Sequence, residues 1–292
     1  MPALFGDRAN GRRLAVGLIA IAVLLVVDVV LVALALRAHD APESPPAPAS
    51  SLHPLPSESS SIAPQPEPSE SAAPTGLRLL SAVSSTVAWR AEAGACGQQG
   101  SVELTTDGGR TWAPSALDPA GPVLALEPNA DGRRGLVVVA DAGCEPIVQR
   151  TFTGGLGWEP APDQAVGSYV TPQGDVTLDG TSIDAPCEEP QAAAASGGGV
   201  VLCAGVAQAR TSSGGWVPVA QDVTAIGPAD GGVAVALRSA EGCEGITVGV
   251  IRAGALQSVC TDIPTDVPIA VSEGGADQVW AWVGDSLEVI EL

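Results

Sequence analysis

Few side chains in this 292-residue sequence have the type and spacing that chemistry requires. The two histidines, His39 and His53, lie in or beside a Pro/Ser-rich segment, so the chain from residue 77 onward has no imidazole for catalysis or zinc binding. The carboxylates Glu188 and Glu189 are adjacent and would point to different sides of an extended chain. No C-x-x-C pair marks a zinc site. We therefore expect no metal, no cofactor and no catalytic residue.

The charge of the chain excludes one class of partner. All 13 basic residues are arginine, and 33 acidic residues give a formal net charge of −20. So acidic a surface repels phosphate backbones, which argues against nucleic acid as a partner. We interpret the charge as a means of keeping a Gly- and Val-rich domain soluble, with a cationic partner or Ca²⁺ as the alternative.

The N-terminal region predicts a membrane anchor. Residues 1–13 are basic and short, and residues 14–36 are apolar except for one charge, long enough for a helix to cross a bilayer. The excess of arginine before this run predicts a cytoplasmic N-terminus and an extracellular C-terminal domain at the cell membrane. The alternative is a cleaved signal peptide with Ala33-Leu34-Ala35 as its small-residue site, although the apolar run is longer than is usual for one.

Two further features of this region shape the prediction. Asp28 is an ionisable group inside the apolar run, and it is either tolerated by a sufficiently apolar helix or paired with a polar group of a partner helix. Residues 37–76 are dominated by Pro, Ser, Ala and Glu and cannot bury enough apolar area to fold. We predict a disordered stalk that holds the domain away from the membrane.

From residue 77 to residue 292 the pattern is that of an all-β domain. Short apolar runs recur between Gly, Pro and Asp turns, without a helical period. Five pairs of strands joined by turns are predicted at Leu79–Arg90, Val123–Val139, Ala192–Cys203, Val223–Leu237 and Ile269–Val283. Ser168–Ile183 could be a further short, two-stranded unit. This is an internal repeat.

One octapeptide stands out within the repeat. Thr105-Thr106-Asp107-Gly108-Gly109-Arg110-Thr111-Trp112 has a turn at its centre, since Asp107 can accept backbone N–H groups and the glycines accept positive φ. It resembles the Asp-box, S/T-x-D-x-G-x-T-W, of sialidase-like, sortilin-like and photosystem-assembly-factor-like β-propellers. Its matching residues are Thr105, Asp107, Gly109, Thr111 and Trp112. The resemblance implies structural turn residues, not catalytic ones.

Degenerate copies of this octapeptide follow. One keeps Thr151, Gly155 and Trp158 but loses the aspartate, and a shorter one keeps Thr211, Gly215 and Trp216. The three tryptophans are 46 and 58 residues apart, close to the length of a four-stranded propeller blade of about 40–50 residues. We predict a β-propeller of five blades, with six as the alternative. Residues 77–83 are expected to complete the sheet of the last blade.

The six cysteines all lie in the part predicted to be extracellular, which favours disulfides. Sequence alone leaves their connectivity open, but position in the repeat favours Cys187–Cys203 and Cys243–Cys260, each closing a loop within one blade. Cys96–Cys144 would then join neighbouring blades.

The resemblance also implies which residues a sialidase or a binding module of this fold would need. Sialidases of this fold use an arginine triad, a Tyr–Glu pair and an Asp; here Tyr169 is the one tyrosine, and nothing in the sequence places a Glu beside it. Trp280 and Trp282 alternate and share a face, so they either pack in the core or form an exposed aromatic pair for a peptide or a sugar.

The likeness to sortilin-like and assembly-factor-like propellers implies a non-catalytic module for an unknown protein or peptide. The alternative is a glycan-binding protein or a degenerate sialidase-like glycosidase.

Overall fold

The computed structural model describes residues 77–117, 121–194, 199–238 and 242–292. All regular secondary structure in these ranges is β-strand, and none of it could cross a membrane as a helix. The predicted N-terminus 1–13, apolar helix 14–36 with Asp28, and stalk 37–76 lie outside the described residues. The four described ranges form the propeller.

The 22 strands form six antiparallel sheets, which we number blade 1 to blade 6 in chain order. Blades 1 and 2 are β1 (Arg78–Ala82), β2 (Ala88–Glu92), β3 (Ser101–Thr105), β4 (Ala113–Pro114) and β5 (Val123–Pro128), β6 (Gly135–Ala140), β7 (Pro146–Thr151), β8 (Glu159–Pro160). Blades 3 and 4 are β9 (Tyr169–Val170), β10 (Val176–Leu178), β11 (Thr181–Ile183) and β12 (Pro190–Ala194), β13 (Val200–Cys203), β14 (Val206–Arg210), β15 (Trp216–Ala220). Blades 5 and 6 are β16 (Val223–Ala229), β17 (Gly232–Leu237), β18 (Thr247–Arg252), β19 (Ala255–Cys260) and β20 (Ile269–Gly275), β21 (Gln278–Val283), β22 (Ser286–Glu291).

The blades form a closed ring through their first strands. Each of these strands contacts the first strand of the next blade, from β1 through β5, β9, β12 and β16 to β20, and β20 contacts β1. Within a blade every strand pairs with its neighbour in sequence. This up-and-down arrangement around an axis is a β-propeller.

The expected all-β propeller is confirmed, and its blade number is six instead of the preferred five. The five predicted hairpins are the first two strands of blades 1, 2, 4, 5 and 6. The short unit at residues 168–183 is a three-stranded blade of its own, blade 3. Its strands have only two or three residues, too few to show a periodicity in the sequence.

The expectation that residues 77–83 complete the last blade is wrong. Strand β1 pairs with β2 over Arg78–Ala82 and belongs to blade 1, while blade 6 consists of β20, β21 and β22. The ring is therefore closed by packing between β1 and β20 and not by a shared sheet.

Buried apolar clusters fill the six seams between adjacent blades. Strand β17 shows why the sequence is apolar on both sides of a strand: Val233 and Val235 face blade 4, whereas Ala234 and Ala236 face blade 6. Removing a valine side chain from water contributes roughly 1.5–3 kcal/mol, so the seams supply most of the favourable energy of folding. Small residues allow the inner strands to approach one another near the axis.

Candidate functional site

The Thr105–Trp112 hairpin connects β3 to β4 and is held by its own side chains. The Asp107 carboxylate accepts hydrogen bonds from the Thr105 hydroxyl at 2.8 Å, from the Thr111 amide at 3.0 Å and from the Thr111 hydroxyl at 2.6 Å. The buried Thr105 hydroxyl in turn accepts the Gly109 N–H at 3.0 Å. The hairpin is therefore a network of hydrogen bonds formed among residues of the turn itself.

These hydrogen bonds lower the pKa of Asp107 to about 2. The Thr111 hydroxyl is the largest cause, followed by the Thr111 amide and the Thr105 hydroxyl. The carboxylate is thus ionised and committed to the turn at neutral pH. A carboxyl group with so low a pKa cannot serve as a general acid at neutral pH.

The same hairpin contacts blade 6. Gly109 has a φ of +79°, and a Cβ there would overlap the Leu287 side chain of β22. The Arg90 guanidinium lies 4.2 Å from the centre of the Trp112 ring and 4.8 Å from that of Trp282. The hairpin of the first blade therefore helps to hold the last blade in place.

Trp280 and Trp282 are core residues of the seam between blades 6 and 1. Their exposed fractions are 0% and 4%, and they pack with Leu80, Ala82 and other residues of blade 1. The two rings share a face, as expected from their alternation, but that face is turned towards the neighbouring blade. The hypothesis of an exposed aromatic pair for a sugar or peptide is therefore wrong.

The two degenerate hairpins each contact the blade before their own. In the Thr151–Trp158 hairpin the Thr151 hydroxyl accepts the Gly155 N–H at 3.1 Å, and the Trp158 indole N–H bonds to Ser115 of the β4 segment at 2.8 Å. In the Thr211–Trp216 hairpin the Thr211 hydroxyl donates to the Gly215 carbonyl at 3.1 Å.

The Trp216 indole N–H reaches the Asp184 carbonyl, next to blade 3, at 3.3 Å. The tryptophan that ends each of the three hairpins is thus a contact between blades.

Three disulfides join the six cysteines. Cys187–Cys203 and Cys243–Cys260 close short loops, with Cα–Cα distances of 6.2 and 5.5 Å. Cys96–Cys144 links the β2–β3 connection of blade 1 to the β6–β7 connection of blade 2, with a Cα–Cα distance of 5.8 Å. These are the pairs that position in the repeat favours. They leave no free thiol in the described chain.

A cavity with a volume of about 750 Å³ lies within the ring. Residues from the first strands of all six blades line it, so it follows the axis of the propeller. The lining also extends to the half-buried Tyr169 at blade 3 and to the exposed Phe152 of the blade 2 hairpin. The cavity thus extends from the axis of the propeller to residues of blades 2 and 3.

The charged groups of this cavity differ from those of the whole chain. Arg78, Arg134 and Arg150 line it, together with a single carboxylate, Glu127. Burial raises the pKa of Glu127 above its ordinary value and the negative charge of Asp179 raises it further, while a hydrogen bond from the Gly167 backbone lowers it. The cavity therefore lacks the negative excess of the chain as a whole.

Some residue types of a sialidase site line the cavity. Tyr169 and Glu127 both line it, a pairing that the sequence did not indicate because the two residues belong to different blades. The arginines, however, have partners of their own: Arg134 bonds to Asp131 at 2.7 Å, and Arg150 bonds to Glu159 at 2.6 Å. Both arginines are thus paired with carboxylates of their own blade.

The part of the chain that the structure describes offers no set of ligands for a metal ion. No group of three or more His, Cys, Asp or Glu side chains in these ranges could hold an ion. Glu188 and Glu189 precede β12 and are absent from the lining of the axial cavity.

No protein-family model matches the sequence, and no characterised protein sequence matches it. The solved structure described as "YCF48 bound to D1 peptide" is 14% identical, with 74% of this chain and 78% of that chain covered and a TM-score of 0.37.

Proposed function

We propose that this protein is a membrane-anchored, extracellular β-propeller that binds a protein or peptide segment without acting on it chemically. The observation that carries the proposal is the axial cavity, which is lined by the first strands of all six blades. Its volume of about 750 Å³ lies within the range of about 300–1,000 Å³ that is usual for ligand sites.

The composition of the cavity favours a peptide over a highly charged ligand. Leu126, Leu136 and Tyr169 offer apolar contacts, and Asn129 and Gln164 offer amide hydrogen bonds of the kind that a peptide backbone accepts and donates. Arginine side chains of the lining are already paired, so a ligand with many charges would have to displace those partners.

The anchoring part of the proposal rests on the sequence. Residues 14–36 would span the membrane, residues 37–76 would form the stalk, and residues 77–292 would lie outside the cell. Disulfides in the folded part fit an oxidising compartment. Protease added to intact cells should remove the propeller and leave a short membrane fragment, whereas a cytoplasmic propeller would stay intact.

The binding site is tested with two variants of one hairpin. Phe152 lines the cavity and is 53% exposed, while Leu156 is 77% exposed on the same hairpin but does not line it. Phe152→Ser should reduce the recovery of partners in a crosslinking pull-down of the full chain from membranes, and Leu156→Ser should not. Equal recovery with both variants would mean that partners bind elsewhere.

A glycosidase is the second candidate, favoured only by the presence of Tyr169 and Glu127 in one cavity. We expect no turnover of labelled sialosides by the full chain. Turnover that is abolished by Tyr169→Phe would replace the binding proposal with an enzymatic one.

A further inference from the structure

Strand β22 (Ser286–Glu291) forms the outer edge of blade 6. Blades 1, 2, 4 and 5 each have four strands, whereas blade 6 has three in the described chain. Strand β22 therefore occupies the position of a third strand, and in the four-stranded blades the third strand is hydrogen-bonded to a fourth.

The pairing register shows which backbone groups point outwards. The Leu292 N–H donates to the Asp277 carbonyl at 2.8 Å, which makes these two residues a hydrogen-bonded pair. Hydrogen-bonded and non-hydrogen-bonded pairs alternate along an antiparallel ladder. The N–H and C=O groups of Leu287, Val289 and Glu291 therefore point away from β21, as a row of donors and acceptors spaced for another strand.

Most other outer strands are short or contain proline. Strands β4 (Ala113–Pro114) and β8 (Glu159–Pro160) have two residues each and end in proline, β15 contains Pro218, and β11 has three residues. Proline and short length are common ways to prevent a sheet edge from pairing. Strand β19 is longer, but its blade already has four strands. Strand β22 has six residues and no proline.

The charges around β22 favour one kind of partner. Asp285, Glu288 and Glu291 are exposed, and residues 283–292 contain no basic residue. A second copy of the same edge would place like charges opposite each other, which is unfavourable. We propose that β22 is a docking edge for an extended segment of another protein that carries lysine or arginine and adds to blade 6 as its fourth strand. This site is separate from the axial cavity and does not depend on it.

The test uses the full chain and a short synthetic peptide that alternates valine with lysine. Its binding should weaken with rising salt and should slow hydrogen exchange at the Leu287, Val289 and Glu291 amides. Val289→Pro removes one outward N–H and should weaken binding about tenfold, while Val289→Thr keeps the N–H and should bind as the parent does. Glu288→Lys reverses an exposed charge without altering the backbone and should also weaken binding.

Several results would overturn the proposal. Equal affinity of the Val289→Pro and Val289→Thr variants, with unchanged melting temperatures, would show that no strand is added at this edge. Amides that are already protected in the free chain would show that the chain itself covers β22. Concentration-dependent dimers in sedimentation, lost in Val289→Pro, would assign the edge to a second copy. A peptide of alternating valine and glutamate that binds as well as the lysine peptide would refute the role of charge.

Discussion

Ser272 joins three blades at the point where the ring closes. Its side chain is fully buried in β20 of blade 6, and its hydroxyl accepts the Ala82 N–H of blade 1 at 2.9 Å. The same hydroxyl lies 3.4 Å from the Pro228 carbonyl of blade 5. Since Ala82 is the last residue of β1, this contact fixes the end of the first inner strand against the last blade.

Replacing Ser272 by alanine leaves the buried Ala82 amide without its partner. An unsatisfied buried donor costs about 1–3 kcal/mol, and the loss of one oxygen atom creates too little space to add much to this. A loss of about 2 kcal/mol would lower the melting temperature of a domain of this size by about 4–8 °C. Ser213→Ala is the matched control, because it makes the same chemical change on an exposed hairpin.

The assay is thermal unfolding of both variants and the parent, followed by circular dichroism. We expect Ser213→Ala to melt within about 1–2 °C of the parent, as surface substitutions change stability by only about 0.5 kcal/mol. If Ser272→Ala melts with the control, the Ala82 amide has another partner or the seam does not limit stability. Either result would refute the idea that this hydroxyl holds the ring closed.

Two further predictions concern the hairpin and the disulfides. Because the pKa of Asp107 is about 2 in the folded chain and about 3.9 in an unfolded one, its carboxylate stabilises the fold fully above about pH 4 and progressively less as the pH falls towards 2. The difference in melting temperature between the parent and Asp107→Asn should shrink over that window, and a difference independent of pH would contradict this. Removing Cys96–Cys144 should cost about 1 kcal/mol more in denaturant unfolding than removing Cys187–Cys203, because the sequence separations are 48 and 16 residues. Equal losses would show that loop length does not determine how much each disulfide stabilises the fold.

Much of the architecture could be predicted because the repeat is visible in local sequence. Buried inner strands such as β6 and β17 are continuous apolar runs, and their turns contain glycine. The Thr105–Trp112 hairpin forms its side-chain hydrogen bonds among its own residues, so these eight residues mark it in the sequence. Features that depend on neighbouring residues in the chain are thus accessible from the sequence.

Features that depend on contacts between blades could not be predicted. Blade 3 has strands of two and three residues, which carry no periodic signal, so the sequence pattern favours one blade too few. Glu127 lines the axial cavity because β5 is the first strand of its blade, and the order of the strands around the axis cannot be read from the residues near it. The burial of Trp280 and Trp282 follows from the packing of blade 6 on blade 1, and alternation alone shows that they share a face without showing what covers it.

The absence of a shared sheet between blades 6 and 1 has a consequence for how the ring comes apart. At this seam the described contacts are ring stacking, side-chain hydrogen bonds and apolar packing, and β1 forms its ladder with β2 alone. The two blades can therefore separate without breaking a backbone ladder, whereas opening within a blade would break one. No seam of the ring has a shared ladder in the described chain, but blade 1 is the first and blade 6 the last in chain order, so no segment connects these two blades directly. At low denaturant, sub-global opening should therefore start at this seam while each sheet stays intact.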